Sequence, residues 1–262
     1  MGAPPRHWSI GPSPATLGWT YENVAFKDNA GLTLRGWWIP GTNGKTVVMV
    51  HGWTSSRQEP MGRSGYLHAA GYNLLLFDLR GHGRSDGNYT TIGWLEPNDV
   101  RAAVSYARTR SRGPIALLGY SMGASTVVEE AASDPRVSAV IEDSGFDTLA
   151  NAFGVYFQNM TMLPPVPFDQ LVIALGQLDL HFKIGAVRPV DAAKHLKAPV
   201  LAIIGTADRT VPPVEGMDLF RNFAGPKQLL VIPGAGHVAG FAKDRPLYKR
   251  TVLAFLTAHL AN

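Results

Sequence analysis

The sequence predicts an α/β domain, a mostly parallel sheet covered by helices on both faces. Three observations predict it. Continuous apolar, β-branched runs such as Thr46-Val47-Val48-Met49-Val50 read as strands buried on both faces, because a strand with one wet face alternates polar and apolar residues. Helical patterns alternate with those runs, and a strand–helix–strand order implies parallel pairing through crossover helices. A length of 262 residues with 45% hydrophobic content suits one such domain with a sizeable core.

Residues 1–20 are rich in Pro and Gly and read as an arm on a domain spanning 21–262. Glu22–Phe26 and Thr33–Ile39 flank the turn cluster Asp28-Asn29-Ala30-Gly31, which predicts an antiparallel hairpin. Thr46–Val50, Asn73–Asp78, Ile115–Gly119, Val137–Glu142, Pro199–Gly205 and Gln228–Ile232 continue the strands. Helical patterns cover about 60–70, 96–110, 123–133, 213–223 and 244–260. The alternation breaks between Ser144 and Pro189, where Phe153, Tyr156, Phe157, Met160, Met162, Leu163 and Pro164-Pro165-Val166-Pro167 fall. Placed between two strands, on the side where ligands bind in such sheets, 144–189 reads as a short cap; an ordinary crossover helix with a long loop is the alternative.

Composition narrows the function. The formal charge of +4 is spread over a chain only 17% charged, and the nearest thing to a basic patch, Arg101, Arg108, Arg110 and Arg112, reads as a solvated helix face and its end, so nucleic acid is not the expected partner. With no cysteine there is no disulfide and no thiol nucleophile. No apolar run reaches the roughly 20 residues of a membrane span. The N-terminus lacks a charged region followed by an apolar one, so the default expectation is a cytoplasmic protein, although a leader removed before Gly2 would leave no trace.

The chemistry concentrates in Gly119-Tyr120-Ser121-Met122-Gly123, a G-x-S-x-G run between an apolar strand and a helix-like stretch. That setting suits a sharp turn that lifts Ser121 above the sheet, with glycines where strand and helix backbones meet. A serine needs a base, and the base needs an acid to orient it. Asp208 follows the strand ending at Gly205, and His237 follows the next strand in Pro233-Gly234-Ala235-Gly236-His237. Three separate strand-end loops thus bring Ser121, Asp208 and His237 to one edge. Asp143, after the strand Val137–Glu142, is the rival acid, while Glu142 reads as part of that strand's end. His51 and His82 sit in Gly-rich turns and read as bonded to loop backbone, and His181, His195 and His259 lack a strand-end setting. Two backbone N–H groups must receive a developing oxyanion, and Met122 and Trp53 are the expected donors, with the Trp53 indole also walling the acyl pocket or filling the core.

These motifs, together with Asp78-Leu79-Arg80-Gly81-His82-Gly83-Arg84-Ser85, resemble the α/β-hydrolase superfamily from Tyr21 onward, closest to small bacterial serine esterases and lysophospholipase-like or dipeptidyl-peptidase-like proteins. The resemblance implies the α/β-hydrolase fold. It transfers chemistry and no particular substrate, and the short apolar cap departs from the larger caps common in the superfamily. The expectation is a carboxylic ester hydrolase with an acyl-serine intermediate, needing no metal or organic cofactor, acting on a small-molecule ester of short to medium acyl chain, about C4 to C8. A peptidase or amidase is the alternative within enzymes; such enzymes often anchor an amine with cap acids, and here only Asp169 and Asp179 stand between Asn151 and Leu180. A catalytically idle ligand-binding homologue is the alternative outside them.

Overall fold

The computed structural model describes residues 11–162 and 184–260. Eight strands form one sheet in the order β1-β2-β4-β3-β5-β6-β7-β8, with β1 Glu22–Lys27, β2 Thr33–Ile39, β3 Thr46–Val50, β4 Asn73–Phe77, β5 Ile115–Tyr120, β6 Val137–Asp143, β7 Val200–Gly205 and β8 Lys227–Ile232. The hairpin β1–β2 is antiparallel, and β2 pairs antiparallel with β4. From β4 to β8 the pairing is parallel, as the alternation predicts.

Strand side chains alternate between the two faces, so each central strand feeds two cores. On one face Val48, Val50, Leu75, Phe77, Leu117 and Val140 pack with helices α3 (Glu96–Arg110) and α4 (Met122–Ala131). On the other, Val47, Met49, Leu74, Leu76, Leu118 and Ile141 pack beneath the C-terminal helix, Arg245–His259. Burial on both faces is why these strands carry no polar alternation.

The expected helix over 60–70 is two short ones, α1 (Gln58–Met61) and α2 (Gly65–Ala69). Gly62 caps the first, and the stretch Gly62 to Gly65 is too poor in helix formers to bridge them. Arg101 and Arg110 of α3 are exposed, as a solvated face requires, and Arg108 is half-buried, yet all three have partners. Arg101 pairs with Glu130 of α4 at 2.9 Å, Arg110 pairs with Glu22 of β1 at 2.6 Å, and Arg108 donates to the carbonyls of Gly113 and Arg136. They fasten the helix to its neighbours. Of the arm, Pro14–Leu17 form a 3₁₀ turn and Trp19 lies on His68 at 4.6 Å between ring centres. In the region read as a cap, Leu149–Thr161 is a helix, α5, capped by the Thr148 hydroxyl, which accepts from Asn151 N–H. Leu163, Pro164–Pro167, Asp169, Asp179 and His181 lie outside the described residues. Among the described residues no helix is long and apolar enough to cross a membrane.

Candidate active site

Ser121 occupies the turn between β5 and α4 at φ +53, ψ −119, a region a non-glycine residue enters only when the surroundings force it, at a cost of about 1–3 kcal/mol. Its neighbours do the forcing. A Cβ on Gly119 would lie 2.2 Å from the Gly123 carbonyl oxygen, and one on Gly123 would lie 2.5 Å from the Val50 carbonyl oxygen. Only glycine permits strand, turn and helix to close so tightly. Ser121 N–H donates to the Asp143 carbonyl at 2.9 Å, which fixes the turn against β6.

The two loops after β7 and β8 complete the arrangement. His237 Nε2 lies 2.8 Å from Ser121 Oγ, and His237 Nδ1 lies 2.7 Å from Asp208 Oδ2. The tautomer that satisfies both partners carries its proton on Nδ1 and accepts the serine proton at Nε2. Asp208 is nearly buried, and its second oxygen accepts the Thr210 and Val211 N–H groups at 2.9 and 3.0 Å, so the carboxylate is fixed in orientation. Asp143, the rival acid, is engaged elsewhere: its carboxylate accepts the Tyr248 hydroxyl at 2.8 Å and the Ser144 hydroxyl at 3.1 Å. Burial pushes its carboxyl up to about 6, against the pull of Tyr248 and Arg63.

The two expected amide donors flank Ser121. Met122 opens α4, where an N–H has no carbonyl one turn earlier to bond. The Gly52–Trp53 peptide is held by His51, whose Nδ1 donates to the Gly52 carbonyl at 2.7 Å while its Nε2 accepts Leu79 N–H at 3.0 Å. A trans peptide directs its N–H opposite its C=O, so His51 sets the Trp53 N–H. The Gly52 N–H is taken by Glu59 at 2.8 Å, so of the two amides the Trp53 N–H is the candidate donor. Burial lowers the His51 pKa and lowers that of His82 to about 4, and His82 Nδ1 lies 2.8 Å from the Arg80 carbonyl. Both histidines therefore hold loop backbone, as the sequence suggests. His51 does so at the wall of the site.

Beside Ser121 is an apolar cavity of about 110 Å³, lined among others by Trp53, Ile92, Phe146, Phe153 and Tyr156. Tyr156 of α5 meets the Trp53 ring edge-on at 5.9 Å. Ile92 is presented by a loop tied to the buried Glu96 carboxylate, which accepts from the Thr90 hydroxyl, the Thr91 hydroxyl and N–H, and Gly93 N–H. Burial opposes that charge, but these hydrogen bonds outweigh it and hold the carboxyl below its ordinary value. Neither Glu96 nor Glu215 stands out as a site residue in the sequence. Burial raises the Glu215 carboxyl to about 8, with the charges of Asp147 and Asp208 adding to the effect.

Comparison with known proteins agrees with this architecture. The uncharacterized protein YfhR of Salmonella typhi is 27% identical over 98% of this chain and 87% of its own length. An uncharacterized protein of Mycobacterium tuberculosis is 30% identical over 90% of this chain and 79% of its own. Among solved structures, the Pyrococcus furiosus esterase Pf2001 superposes with a TM-score of 0.84 at 27% identity, covering all of this chain and 99% of that one. Est1E of Butyrivibrio proteoclasticus, solved with ferulic acid bound, shares the fold with a TM-score of 0.71 at 20% identity, over 91% of this chain and 100% of that one. A family model described as the alpha/beta hydrolase family matches residues 47–247, and the chain belongs to that family.

Proposed function

We propose that this protein is a carboxylic ester hydrolase working through an acyl-serine intermediate. The observation that carries the reading is the unbroken hydrogen-bond line from Ser121 Oγ through His237 to Asp208 beside an apolar cavity. Ser121 Oγ attacks the ester carbonyl carbon while His237 Nε2 takes its proton. The carbonyl oxygen becomes an oxyanion and receives the Trp53 and Met122 N–H groups. The tetrahedral adduct collapses, the C–O bond to the alcohol breaks, and His237 returns the proton to the leaving alkoxide. Water then attacks the acyl-serine with His237 again as base, releasing the acid and the free serine. Asp208 holds the imidazole in orientation and stabilises the imidazolium. The likeness to the Pyrococcus esterase supports the ester substrate.

The small cavity favours short to medium acyl chains, about C4 to C8, because each buried CH₂ contributes about 0.8 kcal/mol only until the pocket is full. The test is kcat/KM for p-nitrophenyl esters from C2 to C16, on wild type and on Ser121→Ala. We expect an optimum at C4 to C8 and a loss of about 10⁴ to 10⁶ in kcat for the variant. A variant within about tenfold of wild type would place the nucleophile elsewhere. A rise through C16 would overturn the chain-length assignment.

A further inference from the structure

The loop that carries His237 is held on its other side by a second polar chain. Val238, next in sequence, has φ +52, a left-handed conformation that is strained for a β-branched residue. Its peptide groups are gripped at both ends. Val238 N–H donates to Ser144 Oγ at 3.2 Å, and the Val238 carbonyl accepts from Arg63 Nη1 at 2.9 Å. Ser144 is itself left-handed at φ +65, with its N–H on the Ile203 carbonyl of β7 at 3.0 Å. Its hydroxyl donates to Asp143 Oδ1, and Asp143 Oδ2 accepts from Tyr248. Asp143 is 1% exposed, and its own carbonyl receives Ser121 N–H. Asp143 thus braces the serine turn through its backbone and, by way of the Ser144 hydroxyl, the histidine loop through its side chain. Burying a carboxylate and a tyrosine hydroxyl here costs solvation that apolar residues would not.

We propose that Ser144 and Asp143 are positioning residues for His237: Tyr248 fixes the Asp143 carboxylate, Asp143 orients the Ser144 hydroxyl, and Ser144 holds the Val238 amide so that the imidazole stays within reach of Ser121. The proposal rests on the acyl-serine reading above, in which His237 is the base. Neither residue touches substrate; both act through the loop. Loss of the Ser144 hydroxyl leaves Ser121, Asp208 and the cavity unchanged and lets the His237 imidazole drift.

The test compares Ser144→Ala with Ser144→Gly in the full chain, measuring kcat and KM on p-nitrophenyl butyrate and the melting temperature. Both variants remove the hydroxyl, but glycine also relieves the left-handed strain, so it melts above the alanine variant. We expect kcat to fall about 10- to 100-fold in both, with KM within about threefold of wild type, because a misplacement near 1 Å costs about that much without altering the cavity. A structural role alone would make activity follow stability, so a glycine variant that regains wild-type kcat along with its melting temperature overturns the proposal. So do two variants whose kcat stays within about twofold of wild type. A wild-type chain that cleaves no ester, or Ser121→Ala as active as wild type, overturns the acyl-serine reading first.

Discussion

At the scale of single residues, two aspartates stand at the ends of neighbouring strands, and their partners separate them. Asp208 gives one oxygen to His237 Nδ1 and the other to two loop amides. Asp143 gives its oxygens to Tyr248 and Ser144. Asp208→Asn presents an amide where the imidazole N–H needs an acceptor, and we expect kcat to drop by about 10³ to 10⁴. Asp143→Asn keeps one acceptor oxygen and acts only through the loop, so its loss is smaller, at most about 100-fold. Steady-state kinetics on both folded variants decide; a larger loss for Asp143→Asn would exchange their roles. Ser121, Asp208 and His237 were legible in the sequence because each sits in a short strand-end motif. The Tyr248–Asp143 contact was not, since 105 positions separate its partners and no local pattern marks them.

Elements are joined by charges that the sequence scatters. Arg80, in the loop after β4, pairs with Asp99 of α3 at 2.6 Å and with Asp28 of the β1–β2 turn at 2.8 Å, and all three side chains are buried. Burial raises the Asp99 carboxyl to about 6 even with Arg80 opposing it, so the pair holds only while the guanidinium is there. Arg80→Met strands two carboxylates, and urea unfolding should show a loss of about 3–5 kcal/mol. A loss below about 1 kcal/mol would mean that water or a neighbour takes over the pairing. The parallel sheet and its long helices were readable from periodicity. Helix α5 was foreseen only as the crossover-helix alternative to a cap, because the apolar residues of 144–189 suit either a helix on the core or the wall of a cavity, and α5 lines one. Its Tyr156 closes the cavity against Trp53. Tyr156→Ala enlarges the space beside Ser121, so the optimum of the ester series should move to longer chains, while an unmoved optimum would put the acyl group elsewhere.

For the whole molecule, the carboxyl groups that burial keeps neutral set how stability depends on pH. Glu129 of α4 is the clearest: burial, then the charge of Glu96, raises its carboxyl to about 8, and its Oε2 is buried with no hydrogen-bond partner among the described residues. The unfolded chain releases this proton near the ordinary glutamate value, about 4.3. Between that value and about 8 the folded state holds a proton that the unfolded state has lost. Folding therefore binds protons in this window, and stability falls as pH rises through it. Below the window the contribution is fully present, and above it the folded state carries a buried anion beside Glu96. Glutamine copies the neutral form at every pH. Glu129→Gln should thus melt close to wild type at pH 5 and above it at pH 9, by about 2–4 °C for each kcal/mol recovered. Thermal unfolding of both chains at the two pH values checks this. An advantage at pH 5 as large as that at pH 9 would show that the gain comes from packing and that Glu129 does not titrate in the folded protein.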